Sequence, residues 1–427
     1  MRIGGRLAAA IEILEDIETR HRPASDALRD WGLSHRFAGS GDRAAIGNIV
    51  YDALRHRRSA AWLLDDASPR GLALGALLLE WGYDADTLDA ELVDDRFAPS
   101  ALSEKERAAI AEHFGKQPSD DIRSDVPEWC EPLLQKTYGD DWGKEGEAFS
   151  QRPPLDLRVN RLKSDTSKVL AALHGTGARK AAIAPFGIRI EKVEGRGRHP
   201  NVQAEPGFQK GWFEVQDEGS QIVAELATPD QPNQVLDYCA GAGGKTLSLS
   251  AAFDNKGQIF AHDAEKARLS PIFDRLKRAG ARNVQAITAQ PALDALENQM
   301  DLVLVDVPCT GSGTWRRRPD AKWRLTERQL EVRMSEQTQI LDHVTRYVKP
   351  GGTLVYITCS IFREENQEQI EAFLTRHPDF VATDHHALWA KKFPHAKERA
   401  MVDAHGIMLS AATSGTDGFF FCAMTRN

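Results

Sequence analysis

The stretch "QVLDYCAGAGGKT" (residues 234–246) decides how the chain folds. Val235 and Leu236 form the apolar interior of a short strand. Gly241, Gly243 and Gly244 let the backbone turn tightly and approach a ligand closely. Lys245 and Thr246 then open a helix, whose first amides favour a negative group. The same alternation continues downstream. "GQIFAHD" (257–263) reads as a strand, "AEKARLSPIFDRLKRAG" (264–280) as a helix and "NVQAIT" (283–288) as a strand. "MDLVLVDVP" (300–308) is a strand, a long helix lies within 326–348, "GGTLVYITC" (351–359) is a strand, and a helix follows from about Glu364. This pattern predicts a doubly wound parallel sheet. Ligands of such sheets sit at the carboxyl ends of the strands. Asp237, Asp263, Asp306, Cys309 and Cys359 all fall at or just beyond those ends.

Upstream the pattern differs. Ile3, Leu7, Ile11, Leu14 and Ile17 recur at steps of three and four, one face of a helix. "GLALGALLLEWG" (71–82) reads as a buried helix, and "SEKERAAIAEHF" (103–114) opens with a capping box at Ser103 and Glu106. Strand signals are nearly absent, so an all-α domain is expected over residues 1–120. "GKQPSDDIRSDVPEW" (115–129) is polar, holds two prolines and reads as a linker. "PLDLRVN" (154–160), "SKVLAALHGTG" (167–177) and "IRIEKV" (188–193) read as strand, helix and strand, a small α+β module over 126–205. The α/β domain then occupies 206–427.

Composition narrows the classes. Of 427 residues, 41% are hydrophobic and 27% charged, which suits a soluble globular chain. No apolar run approaches the roughly 20 residues that span a bilayer, and Glu12, Glu15 and Asp16 interrupt the N-terminal apolar stretch, so a cytoplasmic protein is expected; it is also expected to be a monomer. The five cysteines are scattered without a CxxC pair, which suggests neither a zinc cluster nor a disulfide framework. A net charge of −8 opposes indiscriminate binding to nucleic acid but allows a local basic surface. The candidates are "RHRR" (55–58), "GRGRH" (195–199) and "WRRRPDAKWR" (315–324). The last is flanked by Trp315 and Trp323, follows the Cys309 loop, and is read as an RNA contact.

Three ligands compete for the glycine loop. A dinucleotide fingerprint needs a third glycine where Thr246 stands. A P-loop needs its first glycine at 239, which is cysteine. S-adenosylmethionine needs a glycine loop after the first strand and a carboxylate at the end of the second, where Asp263 lies.

The cysteines at two strand ends admit core, metal, disulfide and catalytic readings. One chemistry needs two of them. Carbon 5 of a pyrimidine is a poor nucleophile until a thiolate adds to carbon 6; a second cysteine can then assist release. Asp306, three residues before Cys309, is placed to hydrogen-bond the base. An amine methyltransferase would carry an aromatic clamp after this acid. Asp306-Val307-Pro308-Cys309 offers sulfur instead.

"LDYCAGAGGKT" (236–246), "DVPCTGSGTWRRRPDAKW" (306–323), "YITCSIFREEN" (356–366) and "GTDGFFFCAMTR" (415–426) together resemble the ordered motifs of the RsmB-type (Fmu/Sun) RNA 5-methylcytosine methyltransferases, over about residues 126–427. "DRAAIGNIVYDALRHR" (42–57) is similar to the NusB-like RNA-binding domain of the bacterial branch, and "PLDLRVN" resembles that family's RNA-recognition-like module. The resemblance implies a Rossmann-like methyltransferase domain that uses S-adenosylmethionine. It implies Cys359 as nucleophile and Cys309 as release catalyst, with Asp306 and Lys245 near the base. It places Cys239, Ala240, Gly241, Ala242, Gly243, Gly244 and Lys245 in the cofactor loop and Asp263 on the ribose, with Asp306 between cofactor and base. Ribosomal RNA is the implied substrate and transfer RNA the runner-up; a non-catalytic RNA-binding assembly factor is the alternative class. The chain departs from the family after the third strand, where Gln290 replaces the usual acid near adenine and is expected to hydrogen-bond adenine in its place, with Asp294 further on. The loop also reads Ala-Gly-Ala where Ala-Ala-Pro is common.

Overall fold

The computed structural model describes residues 1–231 and 234–427, which divide into two units. The first comprises Met1–Pro153, Lys192–His199 and Trp315–Leu325. Its helices follow the apolar periodicity. Helix Ile3–Arg20 buries Ile3, Leu7, Leu14 and Ile17, and helix Pro69–Glu80 buries Leu72, Leu74, Leu77 and Leu78. The capping box at Ser103 and Glu106 is formed. Residues 115–129 are not a plain linker. They include helix Asp120–Arg123, and Asp125 is buried. Asp125 Oδ1 accepts the amides of Arg58 at 2.7 Å and Ser59 at 2.9 Å. These are free donors at the start of helix Arg57–Leu64. The polar composition of this stretch serves a distant helix end as well as solvent.

Two of the three basic runs are largely consumed inside this unit. Arg55 and His56 are buried, Arg57 pairs with Glu18, and Arg58 pairs with Glu131. The run 315–324, expected to meet RNA, is mostly interior: Trp315, Arg316, Asp320 and Lys322 are all buried. Lys322 Nζ donates to the Arg55 carbonyl at 3.2 Å and to Ser150 Oγ at 3.3 Å. Trp323 Nε1 donates to the Leu54 carbonyl at 2.6 Å, and Arg55 returns two bonds to the Arg316 carbonyl. The segment packs because its aromatic and aliphatic parts bury apolar area while its cations find carbonyls. In the run 195–199, Arg196 and Arg198 stay exposed.

A pH dependence follows. Burial would lower the pKa of His56, but hydrogen bonds to Asp125 and Glu80 prevail and hold it up at about 9. A histidine raised in the folded state stabilises fully below its unfolded pKa, near 6.5. That contribution is lost as pH rises through about 9. Burial lowers Lys322 to about 8, so its protonation opposes folding fully below that pH and progressively less above it. Wild-type stability is therefore expected to fall between pH ~6.5 and ~8, with the Lys322 effect offsetting the decline above. In denaturant titrations, His56→Gln should remove the fall; an unchanged slope would reject the assignment.

The second unit comprises Pro154–Glu191, Pro200–Thr314 and Thr326–Asn427. Its smaller sheet holds β1 (Leu155–Val159), β2 (Arg179–Lys180), β3 (Gly187–Ile190) and β4 (Phe213–Val215) in the order β2-β3-β1-β4. All of its pairings are antiparallel. The module expected over 126–205 thus takes its last strand from beyond 205. Leu157, Val159, Ile188, Ile190 and Phe213 form its core.

The larger sheet carries β5 (Gln234–Asp237), β6 (Gln258–His262), β7 (Val284–Ile287), β8 (Met300–Asp306), β9 (Val348–Thr358), β10 (Phe380–Ala382), β11 (Met401–Asp403), β12 (Gly406–Leu409) and β13 (Phe419–Arg426). The order is β11-β12-β13-β9-β8-β5-β6-β7, with β10 on β13. The five strands β5 to β9 pair in parallel, as the alternation predicted. The remaining four add an antiparallel edge. Progression reverses between β5 and β8, which makes the crevice beyond their carboxyl ends the switch point of the sheet. The expected helix 264–280 is two helices, Lys266–Leu269 and Ile272–Ala279, broken at Pro271, which cannot donate within a helix interior. No helix among the described residues is long and apolar enough to cross a membrane.

Candidate active site

The residues at the switch point come from four strand ends. After β5 the chain turns through Gly241 at φ +50° and Gly243 at φ +82°. A side chain at Gly243 would be strained and would also meet Ile272 Cγ1 at 2.5 Å. Helix Gly244–Ala252 starts directly afterwards. Asp263, just past β6, is buried at 4% exposure. Its Oδ2 accepts the Gly241 amide at 2.9 Å and its Oδ1 the Glu265 amide at 2.9 Å. The carboxylate therefore lies against the glycine loop.

Asp237 closes β5. Thr246 Oγ1 donates to its Oδ2 at 2.6 Å, while its buried Oδ1 has no protein hydrogen-bond partner. Burial pushes this carboxyl up to about 7; the Thr246 bond opposes the shift and nearby Asp306 adds to it. Lys245, 6% exposed, reaches across to Asp306 Oδ2 at 2.5 Å, joining the glycine loop to the end of β8. Cys239 is partly exposed, and burial of its thiol group holds its pKa well above the ordinary thiol value. Gln290 sits apart in character: it is exposed, opens the short helix Gln290–Asp294, and donates to Asp294 Oδ1 at 2.7 Å.

Beyond β8 and β9 the two partly exposed cysteines meet, with Cys309 Sγ 3.4 Å from Cys359 Sγ. The hydrogen bond with Cys359 first, and burial second, hold the Cys309 thiol well above its usual pKa. The loops that carry them are tied together. Gly313 N donates to the Cys359 carbonyl at 2.9 Å, and Ser312 Oγ lies 3.0 Å from Ser360 Oγ. Among the described residues no group of side chains could hold a metal ion.

Sequence reasoning did not single out the residues that support this pair. Glu365 is fully buried and accepts the Thr310 amide at 2.8 Å, Thr310 Oγ1 at 2.5 Å and Gln337 Nε2 at 2.9 Å. Burial raises its pKa in spite of these bonds. Gln337 also donates to the Pro308 carbonyl at 3.0 Å. Asn366 accepts from Thr358 Oγ1 at 2.6 Å and donates to the Ser360 carbonyl at 2.9 Å. One signal was available: Gln337 occupies the same helical face as Leu330, Leu341 and Val344, and a polar residue on a buried face requires a partner.

Residues 224–425 match the profile of the 16S rRNA methyltransferase RsmB/F family. Residues 126–194 match the ferredoxin-like domain of RsmF/B-like methyltransferases. A ribosomal RNA small subunit methyltransferase B from Shigella boydii is 38% identical over 370 residues, which is 79% of this chain and 83% of that protein. The chain belongs to the RsmB/F methyltransferase family. Other family members align over less of their length. A relative of the same description from Citrobacter koseri is 38% identical over 261 residues, 60% of this chain and 59% of its own; the chain covers less than two thirds of such relatives. A solved structure, that of PH0851, is similar with a TM-score of 0.71 at 23% identity, over 99% of this chain and 98% of that one. At that identity the likeness concerns the fold.

Proposed function

We propose that this RsmB/F-family chain transfers a methyl group from S-adenosylmethionine to carbon 5 of a cytosine in RNA, with ribosomal RNA of the small subunit as the substrate. The observation that carries the reading is the pair Cys309 and Cys359, 3.4 Å apart beyond the strand that ends at Asp306, which Lys245 pairs. The donor fits the other end of the crevice: the glycine turn admits a close ligand, and the unpartnered buried Asp237 Oδ1 and the Asp263 carboxylate border it. Residues 239–245 would cradle it and Asp263 would hold its ribose. When bound, it supplies an electrophilic methyl group.

The chain's own residues do the rest. The Cys359 thiolate adds to carbon 6 and makes carbon 5 nucleophilic. As the thiolate adds, N3 takes up a proton from solvent and Asp306 accepts the hydrogen bond from that N–H, while Lys245 orients Asp306. After methylation N3 returns its proton and water takes the proton of carbon 5, whose bonding pair forms the double bond between carbons 5 and 6 as the bond between carbon 6 and Cys359 breaks. Cys309 assists that release by donating to the departing sulfur. The two sulfurs lie in hydrogen-bond contact, so the one that keeps its proton can donate to the one that has lost it. The cytosine must leave its stack to reach the strand ends, so an unpaired base is preferred. The helical unit serves as a NusB-like RNA-binding domain acting in the cytoplasm, with the exposed Arg196 and Arg198 among its phosphate contacts.

The deciding experiment is transfer of tritiated methyl groups to small-subunit ribosomal RNA and, in parallel, to transfer RNA, followed by bisulfite sequencing. Label at cytosine carbon 5 of the ribosomal RNA is expected. Label only in transfer RNA would correct the substrate, and no label in either would leave an assembly factor. For the donor site, Asp263→Ala removes a charge-assisted bond worth about 1.5–3 kcal/mol, so S-adenosylmethionine affinity by calorimetry should fall roughly tenfold or more. Unchanged affinity would remove Asp263 from the site.

A further inference from the structure

We propose that Glu365 and Asn366, neighbours on one turn, are positioning residues that each hold one cysteine loop: Glu365 the Cys309 loop and Asn366 the Cys359 loop. The inference rests on the reading that the two cysteines act in succession.

Each side chain brackets a different cysteine. Glu365 takes both donors of Thr310, directly after Cys309, and Gln337 joins Glu365 to the carbonyl of Pro308, directly before it. Cys309 is thus gripped on both sides by one buried pair. Asn366 receives Thr358 Oγ1 and bonds the Ser360 carbonyl, which brackets Cys359 in the same way. Tyr356 on β9 donates to the Glu365 carbonyl at 2.6 Å and so anchors the turn to the sheet. Neither side chain has a hydrogen bond to either sulfur, so both act through the loops. Two consecutive residues thus brace the two sulfurs, each from its own side, in addition to the direct ties between the loops.

The test measures each sulfur separately. Wild type, Cys309→Ala, Glu365→Ala, Glu365→Gln and Asn366→Ala are incubated with S-adenosylmethionine and small-subunit ribosomal RNA. Covalent enzyme–RNA complex is read on denaturing gels, and a bifunctional bimane reports Cys309–Cys359 cross-linking without RNA. Glu365→Ala should slow turnover by roughly a hundredfold, the cost of misplacing a reacting group by about an ångström. It should accumulate adduct as Cys309→Ala does, and it should lose cross-linking. Asn366→Ala should also lose cross-linking but form no adduct. Glu365→Gln keeps an acceptor for Thr310 N and Gln337 and should restore turnover and cross-linking. A general loss of fold would move every readout together and would not spare the glutamine variant.

Wild-type cross-linking in Glu365→Ala, identical adduct behaviour in Glu365→Ala and Asn366→Ala, or failure of Glu365→Gln to rescue would each overturn the proposal. Should Glu365→Ala not fold, Gln337→Leu decides: adduct accumulation supports the grip on Cys309, and unimpaired turnover refutes it. Absence of adduct in Cys309→Ala, with cross-linking still lost in Glu365→Ala, would reject the cysteine roles while supporting the positioning.

Discussion

A Cys359→Ala variant is expected to lose methyl transfer by about a thousandfold or more, the scale seen when a nucleophile is removed, and to form no covalent complex with RNA. Cys309→Ala should lose turnover comparably yet accumulate a complex that survives denaturing electrophoresis. The asymmetry follows from the order of bonds. Without the Cys359 sulfur nothing adds to carbon 6, and the ring never becomes an enamine. Without the Cys309 sulfur, addition and methylation proceed and elimination stalls. The sulfurs are 3.4 Å apart, so distance alone does not assign them, and the variants do. An exchanged outcome, with adduct in Cys359→Ala and none in Cys309→Ala, would reverse the roles. Adduct in neither, with activity retained in both, would remove the covalent mechanism.

Asp306→Asn is expected to lower turnover by roughly 10²–10³-fold, the usual cost of removing a preorganised group that meets developing charge. The substitution preserves size and removes the carboxylate that both Lys245 and the base would use. Lys245 is nearly buried, whereas the Asp306 side chain is one-third exposed at 33%. The stability loss should accordingly be well short of the several kcal/mol typical of breaking a fully buried pair. Calorimetry with S-adenosylmethionine and a thermal melt separate the two effects. Turnover within twofold of wild type would take Asp306 out of the chemistry.

What the sequence disclosed depended on how local the determining force is. The five parallel strands were legible because apolar runs such as Leu302–Val305 are bounded by glycine loops and polar turns. Asp263 and Asp306 could be placed at strand ends for the same reason. The antiparallel edge was harder to read. Phe419, Phe420 and Phe421 are buried on both faces of β13, so no alternation betrays a strand partner or its direction. Asp125 looked like linker polarity because the helix start it satisfies is more than sixty residues away, at |i−j| = 67 for Arg58. The run 315–324 looked like an RNA surface because charge density was visible and burial was not. Glu365 and Asn366 lay within a motif already recognised, but their partners Thr310 and Gln337 are brought to them only by the sheet.

Residues 315–325 carry one more consequence, for synthesis of the chain. Most of the helical unit precedes the sheet in the chain, yet part of its interior is encoded late: Lys322 bonds Ser150 across 172 residues, and Trp323 bonds Leu54 across 269. At about 5–20 residues per second, translation needs roughly ten to thirty seconds to supply that piece after Ser150 has appeared. Throughout that interval the nascent helices lack Trp315 and Trp323, and the unit completes its core only when much of the following sheet already exists. The buried partners of Ser150 and Leu54 are therefore supplied during elongation, well after the helices that they complete.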